Sequence, residues 1–82
     1  MNILEIIHGD TYLIPIREIK YVVGGVYGAE GSMRMIRIVL KDVPRDDGIK
    51  LLFSSSQLEL FGSTLNRIRR ELEVAKNEEN KV

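Results

Sequence analysis

The chain has 82 residues, too few for more than one domain, and its 12 basic and 12 acidic side chains give no formal net charge. That balance argues against a dedicated nucleic-acid-binding protein, whose affinity usually depends on excess positive charge. The chain has no cysteine and one histidine, which excludes disulfides, thiolate nucleophiles and metal sites built from cysteine or histidine clusters. No apolar run is long enough to span a membrane, so the composition predicts a small cytoplasmic protein.

The N-terminal segment predicts a β-hairpin. Branched residues dominate positions 2–8 and return at 11–14, and the pair Gly9-Asp10 between them is typical of a tight turn. Pro15 should end the second strand, because proline has no backbone N–H to donate to a neighbouring strand.

A short helical turn, a third strand and a glycine-rich tip should follow. Ile16 and Ile19 are three residues apart, which favours one turn of helix. Residues 20–23 predict a strand. The segment 24–32 contains four of the seven glycines, so we expect a mobile hairpin tip there, into which the ends of the strands could reach.

Two further strands are predicted at 33–41 and 49–53, separated by a turn at 44–48. Side chains alternate between the two faces of a strand. The residues expected on the inner faces are Ile36, Ile38, Leu40, Ile49, Leu51 and Phe53.

The C-terminal part predicts one amphipathic helix. Ser56 and Glu59 fit a capping box at its start, and Gly62 could mark a kink or a close approach to the sheet. Apolar residues then recur at steps of three and four, which forms one stripe along a helix. This stripe comprises Leu58, Phe61, Leu65, Ile68, Leu72 and Ala75. We expect a single domain over residues 1–76 and a frayed tail over 77–82.

These elements predict an α+β fold. The expected architecture is a small, curled antiparallel sheet of about five strands, in the order strand, strand, turn, strand, strand, strand. The C-terminal helix should pack on this sheet as the main cover of its core.

Two segments resemble catalytic or phosphate-binding patterns in part. His8 and Asp10 could act as a general base and its orienting carboxylate, but the sequence places no nucleophile beside them. The glycine-rich segment fails the phosphate-loop pattern, because position 31 would have to be lysine and is Gly31. A turn flanked by a histidine and a flexible hairpin tip are the simpler interpretations.

The carboxylates Asp42, Asp46 and Asp47 could suggest a calcium loop. Counted from Asp42, however, positions three and twelve of such a loop are Pro44 and Phe53, neither of which supplies a side-chain oxygen. We therefore predict no enzyme activity, no cofactor, no metal and no small-molecule ligand.

Several strands are apolar on both faces, and a single helix covers only one face of a sheet. The second apolar face must be closed by curling of the sheet or by another chain. We expect a non-enzymatic interaction module that binds protein, most readily a second copy of itself as a homodimer. The expected interface residues are Leu4, Ile6, Met35, Val39 and Leu52.

The alternative is a regulator that binds nucleic acid through the helix face Arg67–Arg70 and the glycine hairpin. The residues expected on such a face are Arg34, Arg37, Arg67 and Arg70. Their arrangement decides between the two hypotheses, because a binding face requires arginines on one open surface without interleaved carboxylates.

Overall fold

The computed structural model describes residues 2–79, which form five antiparallel strands and one C-terminal helix. The α+β class, the number of strands and the place of the helix are therefore confirmed. Short 3₁₀ turns occur in several of the connections. The elements are β1 (Ile3–His8), β2 (Asp10–Pro15), β3 (Ile19–Tyr27), β4 (Met33–Leu40), β5 (Ile49–Phe53) and α1 (Leu58–Glu79).

The strands form two sheets, so the prediction of one curled sheet is wrong. β1 pairs with β2 in a hairpin, and β3, β4 and β5 form a separate antiparallel meander in that order. The break lies at Pro15 and the 3₁₀ turn Ile16–Glu18, which redirects the chain out of the hairpin before β3 begins. Directly after β2, the Ile16 N–H donates a hydrogen bond to the Asn2 carbonyl at a distance of 3.0 Å.

The core lies between the two sheets and the helix. The hairpin and α1 both pack on the inner side of the three-stranded sheet, because buried residues of the hairpin, the sheet and the helix form one cluster. Its members are Leu4, Ile6, Ile14, Ile19, Ile36, Ile38, Leu51, Phe53 and Ile68. The predicted inner faces of β4 and β5 and the central part of the helical stripe are thus confirmed, whereas Leu58 at the start of the stripe is 49% exposed.

A β-bulge at Lys20 sets the orientation of β3. Ile19 pairs with Leu40 and Tyr21 with Val39, so three residues of β3 oppose two of β4. Ile19 consequently faces the core while Tyr21 faces the opposite side, although simple alternation would place both on one face.

β3 extends to Tyr27, well into the segment predicted to be a glycine-rich tip. Gly24 lies inside this strand and faces the helix. A Cβ atom at that position would lie 2.6 Å from Leu65 Cδ2 and 3.3 Å from Phe61 Cζ. The glycine therefore permits the close approach of α1 to β3.

The predicted capping box is wrong. The box joins Ser54 and Gln57 instead of Ser56 and Glu59, and the Ser54 N–H donates to Gln57 Oε1 at a distance of 3.0 Å. The reason is a 3₁₀ turn, Ser55–Gln57, which leads directly into α1. At the other end α1 continues to Glu79, and the rest of the predicted frayed tail, residues 80–82, lies outside the described residues.

Candidate interaction surface

The three-stranded sheet has one face that points away from the helix and the hairpin. We call it the outer sheet face. It is formed by Tyr21, Val23 and Gly25 of β3, Met35, Arg37 and Val39 of β4, and Lys50 and Leu52 of β5. Tyr21 is 39% exposed, and Val23 and Leu52 are each 41% exposed. All three residues lie on the edge strands β3 and β5, and together they leave apolar surface in contact with water.

Cross-strand pairing sets the arrangement of side chains on the outer sheet face. Met35 lies opposite Leu52 on one side and opposite Gly25 on the other. Val39 lies opposite Tyr21, and the Val23 pair with Arg37 lies between these two rows. Residues directly opposite each other on one face are within contact distance in an antiparallel pair. The apolar side chains thus form two patches separated by one charged row.

The structure brings together only part of the predicted interface. Leu4 and Ile6 are 0% and 1% exposed and belong to the core, so they are not on an outer face. Met35 and Leu52 form a cross-strand pair on the outer sheet face. Val39 lies on the same face but is only 3% exposed. The first strand is apolar on both sides, and alternation alone does not tell which side faces the core.

Sequence reasoning missed Tyr21 and Val23 as members of this surface. The predicted third strand contained both residues, and its alternation places them on one face. The missing information was the partner of that strand, which only the register between β3 and β4 supplies.

Arg37 occupies the middle of the outer sheet face. Its side chain is 18% exposed, and one guanidinium nitrogen lies 3.7 Å from Asp46 Oδ1. Lys50 lies directly across from it on β5. The Arg37 Nε atom is buried and finds no hydrogen-bond acceptor among residues 2–79. A buried donor without an acceptor destabilises the fold.

The outer face of the hairpin is a second exposed apolar surface. Ile3, Ile7 and Leu13 are 47%, 72% and 63% exposed. Glu5 lies between the two isoleucines along β1 and directly across from Leu13 on β2. The central carboxylate interrupts this surface, and the hairpin supplies only two strands to it.

Three of the four arginines predicted to form a nucleic-acid face, Arg34, Arg37 and Arg67, make contacts within the chain. Arg34 donates to the Gly31 carbonyl over 3.0 Å, at the turn between β3 and β4. Arg37 lies on the outer sheet face beside the carboxylate of Asp46.

The helical arginines face the other side of the fold. The Arg67 guanidinium donates to the Glu5 carbonyl of β1, and its Nε lies 3.7 Å from Glu71 Oε2. Arg70 lines a cleft together with Glu71. The four arginines therefore do not share one open surface without carboxylates.

His8 has a structural contact that the sequence did not predict. Its Nε2 atom hydrogen-bonds the Leu52 carbonyl over 2.6 Å, which links the hairpin to β5. Its ring also packs against Phe53, with 4.2 Å between the ring centroids. The imidazole thus joins the two sheets.

Within residues 2–79, no three acidic or histidine side chains come together as a metal-binding group. Nor does that part of the chain contain a helix of the length and apolarity that crossing a membrane requires. Comparison with protein-family models, with curated proteins and with solved structures finds no match.

Proposed function

We propose that this chain is a small, non-enzymatic interaction module that forms a homodimer through the outer sheet face. The observation that carries the proposal is the exposure of Tyr21, Val23 and Leu52 on a face that neither the hairpin nor the helix covers. Burying a large apolar side chain contributes roughly 1.5–3 kcal/mol, so several together can offset the entropy lost on association.

A second copy of the chain is the occupant that we propose for this face. A stable interface buries roughly 800 Å² on each partner. That is about one seventh of the 5927 Å² that the chain exposes, a share that one face of a small domain can supply. Two copies related by a twofold axis would present the same apolar rows to each other, as sheet-on-sheet packing requires.

Arg37 fits the interior of such an interface. Arginine is enriched at protein interfaces, where its fork of donors binds acceptors on the partner. In the proposed dimer the part of the Arg37 side chain that is still exposed, 18%, faces the partner and can donate hydrogen bonds to its surface. Asp46 remains beside the same guanidinium, so the charge of Arg37 is not buried alone. As part of this proposal we place the protein in the cytoplasm, since a chain without cysteine needs no oxidising compartment.

The test compares two substitutions that add the same charge on different faces. Leu52→Asp places a carboxylate on the outer sheet face, and Leu13→Asp places one on the outer face of the hairpin. Both leucines are more than one third exposed, at 41% and 63%, so the fold should tolerate either change. Size-exclusion chromatography with light scattering gives the mass of each protein from low to high micromolar concentration, and circular dichroism checks that each is folded.

We expect twice the monomer mass for the wild type and for Leu13→Asp, and the monomer mass for Leu52→Asp. A wild type that is monomeric at high micromolar concentration would overturn the proposal. So would a folded Leu52→Asp variant that remains dimeric. If Leu13→Asp alone dissociated the dimer, the interface would lie on the hairpin instead.

A further inference from the structure

Basic residues from four separate segments line one cleft of about 250 Å³. The segments are the 3₁₀ turn before β3, the start of β3, the residue after β4 and the last turns of α1. The cations that line the cleft are Arg17, Lys20, Lys41 and Lys76. We call this hollow the basic cleft. Its remaining lining is mainly apolar and includes Ile16, Leu72 and Tyr21.

Two features of the backbone hold these cations together. The Lys41 N–H donates to the Glu18 carbonyl over 2.8 Å, which fixes the end of β4 beside the 3₁₀ turn. The bulge places Lys20 as the extra residue of β3 at the same end of the sheet. Bulges re-aim side chains and occur often beside functional sites. The backbone hydrogen bond and the bulge thus place Lys20 and Lys41 at the same end of the three-stranded sheet.

The charge in the basic cleft is segregated. The whole chain has equal numbers of acidic and basic residues, yet no carboxylate among residues 2–79 lines this cleft. Glu18 lies 3.9 Å from Arg17, and both side chains are well exposed to water, so this ion pair is weak. Lys20 and Lys41 form no salt bridge with the side chains that the structure describes. Mutual repulsion of like charges is a cost that a bound anion would remove.

We infer that the basic cleft binds a compact, phosphate-bearing anion. Lysines act as point charges toward phosphate, and several converging on one hollow favour a multiply charged group. The volume is slightly below the range of about 300–1,000 Å³ that is common for sites of drug-sized ligands, which favours a small ligand. The apolar lining and Tyr21 offer a contact surface for an organic part attached to the phosphate.

This inference is independent of the proposed homodimer, because its cations lie outside the outer sheet face. Tyr21 is the one residue common to both surfaces. The cleft variant therefore changes only lysines and leaves Tyr21 in place. The variant Lys20→Gln/Lys41→Gln removes two positive charges from the basic cleft. The control Arg69→Gln/Arg70→Gln removes two charges from exposed positions of α1 that belong neither to the basic cleft nor to the outer sheet face, so both variants have the same net charge.

The measurement is a titration of the ¹⁵N-labelled chain with pyrophosphate, followed by amide chemical shifts at low and constant chloride. We expect saturable shifts at the amides of Arg17, Lys20 and Lys41. The cleft variant should bind about tenfold more weakly, whereas the control should bind within about twofold of the wild type. Circular dichroism confirms that both variants are folded. A parallel titration with ADP tests whether an attached organic group strengthens binding, as contact with the apolar lining requires.

Three results would overturn the inference. The first is the absence of saturable shifts at the cleft amides at millimolar pyrophosphate. The second is equal weakening in the two variants, which would indicate a general effect of charge. The third is a short single-stranded oligonucleotide that binds far more tightly than pyrophosphate through the same lysines, which would assign the basic cleft to nucleic acid. ADP that binds more weakly than pyrophosphate would overturn the organic contact alone.

Discussion

Gly48 and Gly62 have opposite surroundings, and substitution should have opposite effects at the two sites. A Cβ atom at Gly48 would lie 2.5 Å from the Ile38 carbonyl oxygen, and a backbone atom inside a sheet has little freedom to move. We expect Gly48→Ala to lower the free energy of unfolding by about 1–3 kcal/mol, the range for overpacking. Urea denaturation followed by circular dichroism measures this difference.

Gly62 is the matched control, because a Cβ atom there would meet nothing within 4 Å. The glycine lies inside α1, where it costs about 1 kcal/mol relative to alanine. We therefore expect Gly62→Ala to raise the free energy of unfolding by that amount. The absence of a close contact also means that Gly62 is not needed for an approach of the helix to the sheet. Loss of stability in this variant would contradict the prediction.

His8 should stabilise the fold through two separable contacts. His8→Phe keeps a ring over Phe53 but loses the hydrogen bond to the Leu52 carbonyl, so we expect a loss of about 0.5–1.5 kcal/mol. His8→Ala loses both contacts and should cost more by about 0.5–1.5 kcal/mol, the value of an aromatic pair. Equal stability of His8→Phe and the wild type would show that the hydrogen bond contributes nothing.

At the scale of elements, α1 should be held by the buried part of its apolar stripe. Ile68 is fully buried in the core cluster, so Ile68→Ala should cost about 2–5 kcal/mol. Val74 is on the same helix but is 52% exposed, and Val74→Ala should change stability by less than about 0.5 kcal/mol. Thermal or urea denaturation of both variants tests the contrast, and equal effects would mean that the helix packs by a different face.

The elements themselves were largely predictable, because each has a local signal. The periodicity of α1 and the alternation of β4 and β5 each identified an inner face correctly. The separation into two sheets was not predictable, since no local signal tells whether the strand after Pro15 returns to the hairpin. The Lys20 bulge is likewise a property of the pairing between β3 and β4.

The candidate site was predictable only in part for the same reason. Met35 and Leu52 were predicted correctly because each points away from the predicted inner face of its own strand. Leu4 and Ile6 were misplaced because β1 is apolar on both sides, so its inner side depends on where the hairpin packs. The basic cleft draws single residues from four distant segments, and sequence spacing contains no sign of their convergence.

For the whole molecule, the proposed dimer predicts that stability depends on concentration. Only folded chains dimerise, so dimerisation stabilises the folded state, and it does so more strongly at higher protein concentration. The thermal midpoint of unfolding should therefore rise with protein concentration. Leu52→Asp should have a midpoint that is independent of concentration, and Leu13→Asp should behave like the wild type. Differential scanning fluorimetry with an external dye, from low to high micromolar protein, tests this. A concentration-independent midpoint in the wild type would contradict self-association.

The contact between His8 and Leu52 also bears on aggregation. β5 is an edge strand, paired on one side with β4, and no strand within residues 2–79 pairs with its other side. Exposed strand edges offer backbone donors and acceptors to strands of neighbouring molecules. The imidazole already occupies the Leu52 carbonyl and packs beside Phe53 at this edge. One side chain from the first strand therefore occupies a backbone acceptor through which a neighbouring molecule could extend the sheet at this edge.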